Sequence, residues 1–326
     1  MKHTLRTAAA VALASLLCAN ASAKIVTIAI PGAQFVIPAG INDKGAVAGT
    51  FGDASNGYHG FLWQPDGTLA TFDVPGAVIM YAIGISETGV IAGRYYLDHD
   101  EKTCAGFVRA ADGTITTFTV PNGAYTAVYG ENRAGWSVGS YARSWRGGVN
   151  AFLRSRSGAT IEFSVPGWAD DTGATTVNHS RMIAGSFGKP TQSYIRTPDG
   201  TITVFGDPNV YTYVSAMNDA GTITGFTAYL QTGSAYVRTI DGTFTTFNGS
   251  GTTPTGINNS GTIVGNYHDG HDKSDHGFIR IADGTFTVFD PPGAVSSGIN
   301  AINNKGAITG TYTNQDGARL AFAGKP

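Results

Sequence analysis

Residues 40–49 read Gly40-Ile41-Asn42-Asp43-Lys44-Gly45-Ala46-Val47-Ala48-Gly49, and His59-Gly60-Phe61, Asp66-Gly67-Thr68, Phe72 and Val74-Pro75-Gly76-Ala77 follow. Short apolar runs broken by Asn, Asp and Gly are the pattern of narrow strands joined by tight hairpins. The closing glycine of the first run recurs as Gly49, Gly93, Gly139, Gly185, Gly225, Gly265 and Gly310. Seven residues before each stands Asn42, Ser86, Asn132, Asn178, Asn218, Asn258 or Asn303. An Asn there can fold its side chain onto the backbone of a turn. The third segment centres on Phe61, Phe107, Phe152, Tyr194, Tyr236, Phe278 and Phe322, and the fourth closes on Phe72, Phe118, Phe163, Phe205, Phe247 or Phe289.

Each copy therefore supplies four short strands in about 40 to 46 residues, the length of one β-propeller blade. The expected fold is all-β, a seven-bladed β-propeller of four-stranded antiparallel blades. The chain ends separate this from an open solenoid. The seventh copy stops at Pro326, which aligns with Pro65, so its fourth strand is missing. Lys24 to Ala33 aligns with Thr68 to Ala77 and lacks the three strands before it. The expectation is one domain over residues 24–326, in which 24–34 supplies the outer strand of the blade formed by 295–326. Closure of that kind removes unpaired sheet edges.

Lys2 and Arg6, the apolar run from Ala8 to Leu17 and then Ala21-Ser22-Ala23 read as a signal peptide over residues 1–23, with Lys24 as the mature start. The expected location is periplasmic or extracellular. No segment approaches the roughly 20 apolar residues of a membrane helix, so no membrane span is expected. Cys18 leaves with the signal, and Cys104 alone cannot form an intrachain disulfide. Stability must then come from packing and sheet hydrogen bonds. The mature chain keeps 19 basic and 23 acidic residues, which argues against nucleic acid as a partner. A monomer is expected.

The chain resembles the HAF-repeat family of predicted extracellular repeat proteins, named for a His-Ala-Phe tripeptide. That element appears here as His59-Gly60-Phe61 and His276-Gly277-Phe278, more loosely as Asn150-Ala151-Phe152, beside the Ile-Asn-x-x-Gly and Asp-Gly-Thr elements. The resemblance covers residues 24–326 and implies export and a propeller-like repeat. It carries no assigned reaction, and five of the seven copies lack the His.

Loop lengths point to one face. The spacing from the Asn position to the glycine is seven residues in every copy, whereas the spacing from that glycine to the third-strand aromatic runs from 9 to 14. The connection from the fourth strand to the next first strand also varies. In alternating strands both variable connections emerge on one side, and variable loops on a rigid scaffold are where binding and catalysis sit. The ligand-binding candidates there are Tyr81, Tyr125, Arg143, Trp145, Arg146, Trp168, Tyr211, Tyr213, His268 and His271. The loop of His268, His271 and His276 has imidazoles and carboxylates suited to a metal such as Zn²⁺, but its spacing matches no strong signature, so a solvated loop is the preferred reading and no cofactor is predicted. No phosphate loop, nucleophile elbow or dinucleotide fingerprint is present.

Three functional readings remain open. The preferred one is a binding module for an extracellular ligand, such as a glycan or cell-envelope polymer. Its alternatives are a secreted polysaccharide lyase or hydrolase, with Arg143 or Arg146 neutralising substrate carboxylates, and a passive surface scaffold.

Overall fold

A computed structural model describes residues 24–144, 147–229, 232–249, 251–270 and 274–326. The expected signal peptide, residues 1–23, lies outside the described residues, as do Trp145, Arg146 and His271. Among the described residues there are 28 strands and no helix. The first repeat shows the plan: strands Phe35–Ile41, Val47–Gly52, Tyr58–Trp63 and Leu69–Phe72 pair in sequence order. Every repeat forms such an antiparallel four-stranded sheet, and the second and third are joined by one parallel contact between Tyr125 and Cys104. The last repeat contributes Ala294–Ile302, Ile308–Asn314 and Arg319–Lys325, and its fourth strand is Lys24–Ile28, with Lys24 opposite Lys325 and Ile28 opposite Ala321.

The recurring glycine has a steric cause. It lies directly across from the third-strand aromatic, as Gly49 does from Phe61 and Gly225 from Tyr236. A Cβ on Gly49 would collide with the Ile37 carbonyl oxygen and the Phe61 ring. Glycine lets the ring lie flat across its neighbour, and all seven aromatics are fully buried. Where Tyr replaces Phe, its hydroxyl reaches past the second strand to donate to the first, from Tyr194 to the Gly173 carbonyl and from Tyr236 to the Tyr213 carbonyl, both at 3.1 Å. The first strand also carries a bulge in every repeat, followed by a small residue, as between Pro38 and Gly40. Innermost strands approach closely here: a Cβ on Gly40 would lie 3.1 Å from Gly84 Cα.

Contacts between repeats follow a second rule. Each fourth-strand Phe packs against the third-strand aromatic of the following repeat, for example Phe72 with Phe107 at 6.2 Å and Phe247 with Phe278 at 6.3 Å between ring centroids. Two residues after that aromatic stands an Arg in five repeats, and its guanidinium covers the same Phe: Arg109 over Phe72, Arg154 over Phe118, Arg196 over Phe163, Arg238 over Phe205 and Arg280 over Phe247, at 4.2–5.0 Å. In place of a Phe, Lys24–Ile28 brings Ile28, which is buried in one cluster with Phe61, Val36 and Trp63 of the first repeat.

The Asn position works in two directions. Asn42 Oδ1 accepts the amides of Lys44 and Ala46 at 3.0 Å, folding its own turn, while Nδ2 donates to the Ser86 carbonyl of the next repeat at 3.1 Å. Asn132, Asn178, Asn218 and Asn258 each donate to the next repeat in the same way, at 2.8–3.2 Å. Asn303 donates to the Asn42 carbonyl at 2.7 Å. Ser86 has no amide to send onward; its hydroxyl accepts from Val90 N at 3.0 Å and lies 3.1 Å from the Thr88 hydroxyl, both within its own turn.

The His of the tripeptide is a local tie. His59 Nδ1 lies 2.7 Å from Asp73 and Nε2 lies 3.2 Å from Asp53. His276 makes the equivalent bond to Asp290. Repeats without the His lack the Asp as well: Ala105 goes with Thr119, Gln192 with Gly206 and Leu320 with Ala29. Burial pulls the His59 pKa down, but hydrogen bonds to Asp73 and Asp53 and their charges outweigh it, and the net direction is up.

Three outcomes follow from these contacts. Deleting residues 24–33 uncovers the edge of Arg319–Lys325 and the Ile28 site, so the protein should aggregate or lose its cooperative unfolding transition, as read by circular dichroism and gel filtration. Asn258→Ala strands buried polar groups in two repeats and should lower unfolding free energy by about 2–3 kcal/mol, whereas Ser86→Asn, which supplies the missing amide, should raise it by about 1 kcal/mol. Denaturant titration checks both, and destabilisation by Ser86→Asn would count against a tie from this position to the next repeat. The raised His59 pKa means that its charged tie contributes fully below about pH 6.5 and is lost as pH rises through the higher folded value. Wild type should therefore lose up to about 1 kcal/mol relative to His59→Asn across that window; parallel stability curves would exclude a charged tie.

Candidate functional site

Between the sixth repeat and the last, a groove of about 660 Å³ opens on the side of the variable connections. Its sixth-repeat wall comes from Thr252–Ile257, Ile263–His268 and Asp275–Arg280. His268 ends one strand, Asp275 begins the next, and the two are opposite one another with Nδ1 2.9 Å from the carboxylate. The facing wall supplies Tyr312, whose hydroxyl lies 3.1 Å from that of Thr27, and the exposed Arg319. Deeper in, Asn266 presents a buried Oδ1 that has no hydrogen-bond partner among the described residues. Gly298 faces it, and a Cβ there would fall 2.6 Å from that oxygen. Glycine therefore makes the space that the amide occupies. The result is a polar groove with a cation, an imidazole–carboxylate pair, a phenol and an orphan acceptor, a donor set that suits a ligand rich in hydroxyls and bearing negative charge.

Of the described residues singled out from sequence, His268 alone lines this groove. The others are spread over different repeats. Tyr81 packs edge-on against Tyr58 and Tyr96 beneath the Arg94 guanidinium, which also covers Tyr129. Tyr125 hydrogen bonds through its hydroxyl to Tyr96 at 3.3 Å, and burial pushes the Tyr96 phenol up to about 12. Arg143 lies over the Tyr141 ring and reaches Glu162 at 3.4 Å. Trp168 packs edge-on against Phe187, with centroids 5.5 Å apart, and Tyr211 stacks on Tyr213, which stacks on Phe226. Asn266, Asp275, Tyr312 and Arg319 were not singled out. Asn266 carried a signal, since the residue after the recurring glycine is Thr, Ser, Arg or Phe in the other repeats.

The metal reading loses two of its ligands to strand pairing. Tyr267 pairs with His276 and His268 with Asp275, so His268 and His276 occupy successive register positions on opposite faces of the hairpin. Among the described residues no three His, Cys, Asp or Glu side chains are grouped to hold a metal. Cys104 is buried, its thiol 3.3 Å from the Thr126 carbonyl, and burial pushes its pKa up to about 11, which leaves it protonated and unreactive.

A second, smaller cavity of about 220 Å³ lies at the opposite end, among the constant turns. Arg133 reaches Asp43 at 3.0 Å and Glu87 at 3.9 Å across its mouth. Its wall contains Glu131, at a position filled by Ile41, Ile85, Val177, Met217, Ile257 and Ile302 in the other repeats. Burial holds this carboxyl well above the usual range, although it accepts a hydrogen bond from Ala92 N at 2.9 Å.

No family model matches the chain, and no curated protein matches it either. Solved structures do. One is a catalytically inactive variant of virginiamycin B lyase from Staphylococcus aureus with quinupristin, with a TM-score of 0.62 and 15% identity over 93% of this chain and 99% of that one. Another is the β-propeller domain of the Trilobed protease from Pyrococcus furiosus, described as having an open velcro topology, with a TM-score of 0.63 and 12% identity over 90% of this chain and 94% of that one. Identities this low carry fold and not activity. The chain has a β-propeller fold.

Proposed function

We propose that this protein is a secreted, closed ring of seven blades, of the HAF-repeat kind, that binds a hydroxyl-rich, negatively charged extracellular polymer in the groove between the sixth and last repeats. Three observations support the ring: the division of 28 strands into fours, the bond from Asn303 to Asn42, and the burial of Ile28 against Phe61. Its last blade would then be sealed by the pairing of Lys24–Ile28 with Arg319–Lys325, unlike the open arrangement described for the Pyrococcus domain.

The single observation that carries the binding reading is the convergence of Arg319, Tyr312 and the His268–Asp275 pair around an unpaired Asn266 oxygen in a groove of 660 Å³. Arg319 supplies a charge-assisted donor for a carboxylate, sulfate or phosphate on the polymer. Asn266 accepts from a hydroxyl, and Tyr312 offers a ring face for a sugar. The same pair of His268 and Asp275 is what a lyase would need to move a proton, so products must be sought as well as retention.

The mature protein should be retained on acidic polysaccharides and not on neutral ones, without new chain ends appearing. Arg319→Ala should weaken retention roughly 10-fold, the loss of one charge-assisted hydrogen bond. New reducing or unsaturated ends that vanish in His268→Ala would replace the binding reading with the enzymatic one. Unaltered retention in both Arg319→Ala and Asn266→Ala would remove the groove from consideration.

A further inference from the structure

We propose that Ser274, His276 and Asp290 form a nucleophilic triad that cleaves carboxylic esters. Ser274 Oγ lies 2.7 Å from His276 Nε2, and His276 Nδ1 lies 2.9 and 3.0 Å from the two Asp290 oxygens. Asp290 is itself held in place, because Ser297 donates to its Oδ1 at 2.8 Å. The imidazole is 17% exposed and the carboxylate 35%. A carboxylate on Nδ1 fixes the tautomer that leaves Nε2 as a base toward a hydroxyl, which is the order of groups an activated serine requires.

The chain contains its own comparison. His59 and Asp73 form the same tie in the first repeat, but the other imidazole nitrogen there meets the Asp53 carboxylate and not a hydroxyl. In both repeats the second imidazole nitrogen has a partner, and in the sixth that partner is a hydroxyl that can act as a nucleophile. Ser274 and His276 lie on the face of the hairpin opposite the His268–Asp275 pair, outside the lining of the groove, and Ser274 is only partly buried, which leaves it open to a small ester. The triad does not depend on the groove being a polymer site.

In the reaction, Ser274 Oγ bonds to the acyl carbon while its proton passes to His276 Nε2. The C–O bond to the alcohol breaks, and the departing oxygen takes that proton. Water then attacks the acyl carbon and gives a proton to His276 Nε2, the acyl–Oγ bond breaks, and Oγ takes that proton back from His276 as the acid leaves. Asp290 remains a carboxylate throughout.

The test uses the mature protein with a fluorophosphonate probe, peptide mapping of the adduct and turnover of p-nitrophenyl acetate. The expected result is one adduct, on Ser274, absent in Ser274→Ala. His276→Asn should slow labelling and turnover about 100-fold or more, while His59→Asn, which loses the matching tie without a serine, should stay within about two-fold of wild type. An unmodified Ser274 in folded protein, or labelling of His276→Asn at the wild-type rate, would overturn the triad and leave the groove reading untouched.

Discussion

The contact on which the structure depends is the fourth-strand phenyl ring that leaves its own repeat to pack in the next. Phe72 belongs by sequence to the first repeat and by packing to the second, where Phe107 meets its edge and Arg109 covers its face. No repeat can therefore complete its core alone, which is the general condition of stacked repeat proteins. At the inner edge the Asn amide makes the same commitment with hydrogen bonds, folding one turn while tying down the next. With both contacts in place, the spacing between neighbouring sheets is set without the long connections, whose lengths are free to vary.

That division explains why departures from the repeat collect where they do. Ser86 breaks the run of Asn bonds from repeat to repeat, Glu131 replaces a buried aliphatic, and Arg133 bridges two acids, all among the constant turns. On the other side, Asn266 stands against Gly298, and Ser274 meets an imidazole nitrogen whose partner in the first repeat is a carboxylate. Regular loop length did not mean uniform chemistry, since Glu131, whose carboxyl burial holds well above the usual range, lies at the end whose turns never vary.

Much of the scaffold was legible in advance. The period, the four strands per repeat and the pairing of residues after Lys24 with the end of the chain were all readable from spacing. The dual role of the Asn was half visible: its Oδ1 bonds are local, with acceptor and donors within four residues, whereas its Nδ2 bond crosses to a residue about 40 positions away. The Arg two residues after the third-strand aromatic recurred just as plainly, but its partner is a Phe of the preceding repeat and no local pattern connects them.

The candidate site was legible only at His268. Turn chemistry, strand alternation and repeat length are consequences of local sterics and hydrogen bonding, so the sequence by itself determined the strands, their order and the face on which the loops vary. Which side chains meet on that face depends on how far each sheet is rotated and offset from the next. Packing between repeats sets those quantities through contacts distant in the chain. Only the tertiary structure could bring Arg319 and Tyr312 of the last repeat to Asn266 of the sixth, or set Ser274 and Asp290 on the two nitrogens of His276.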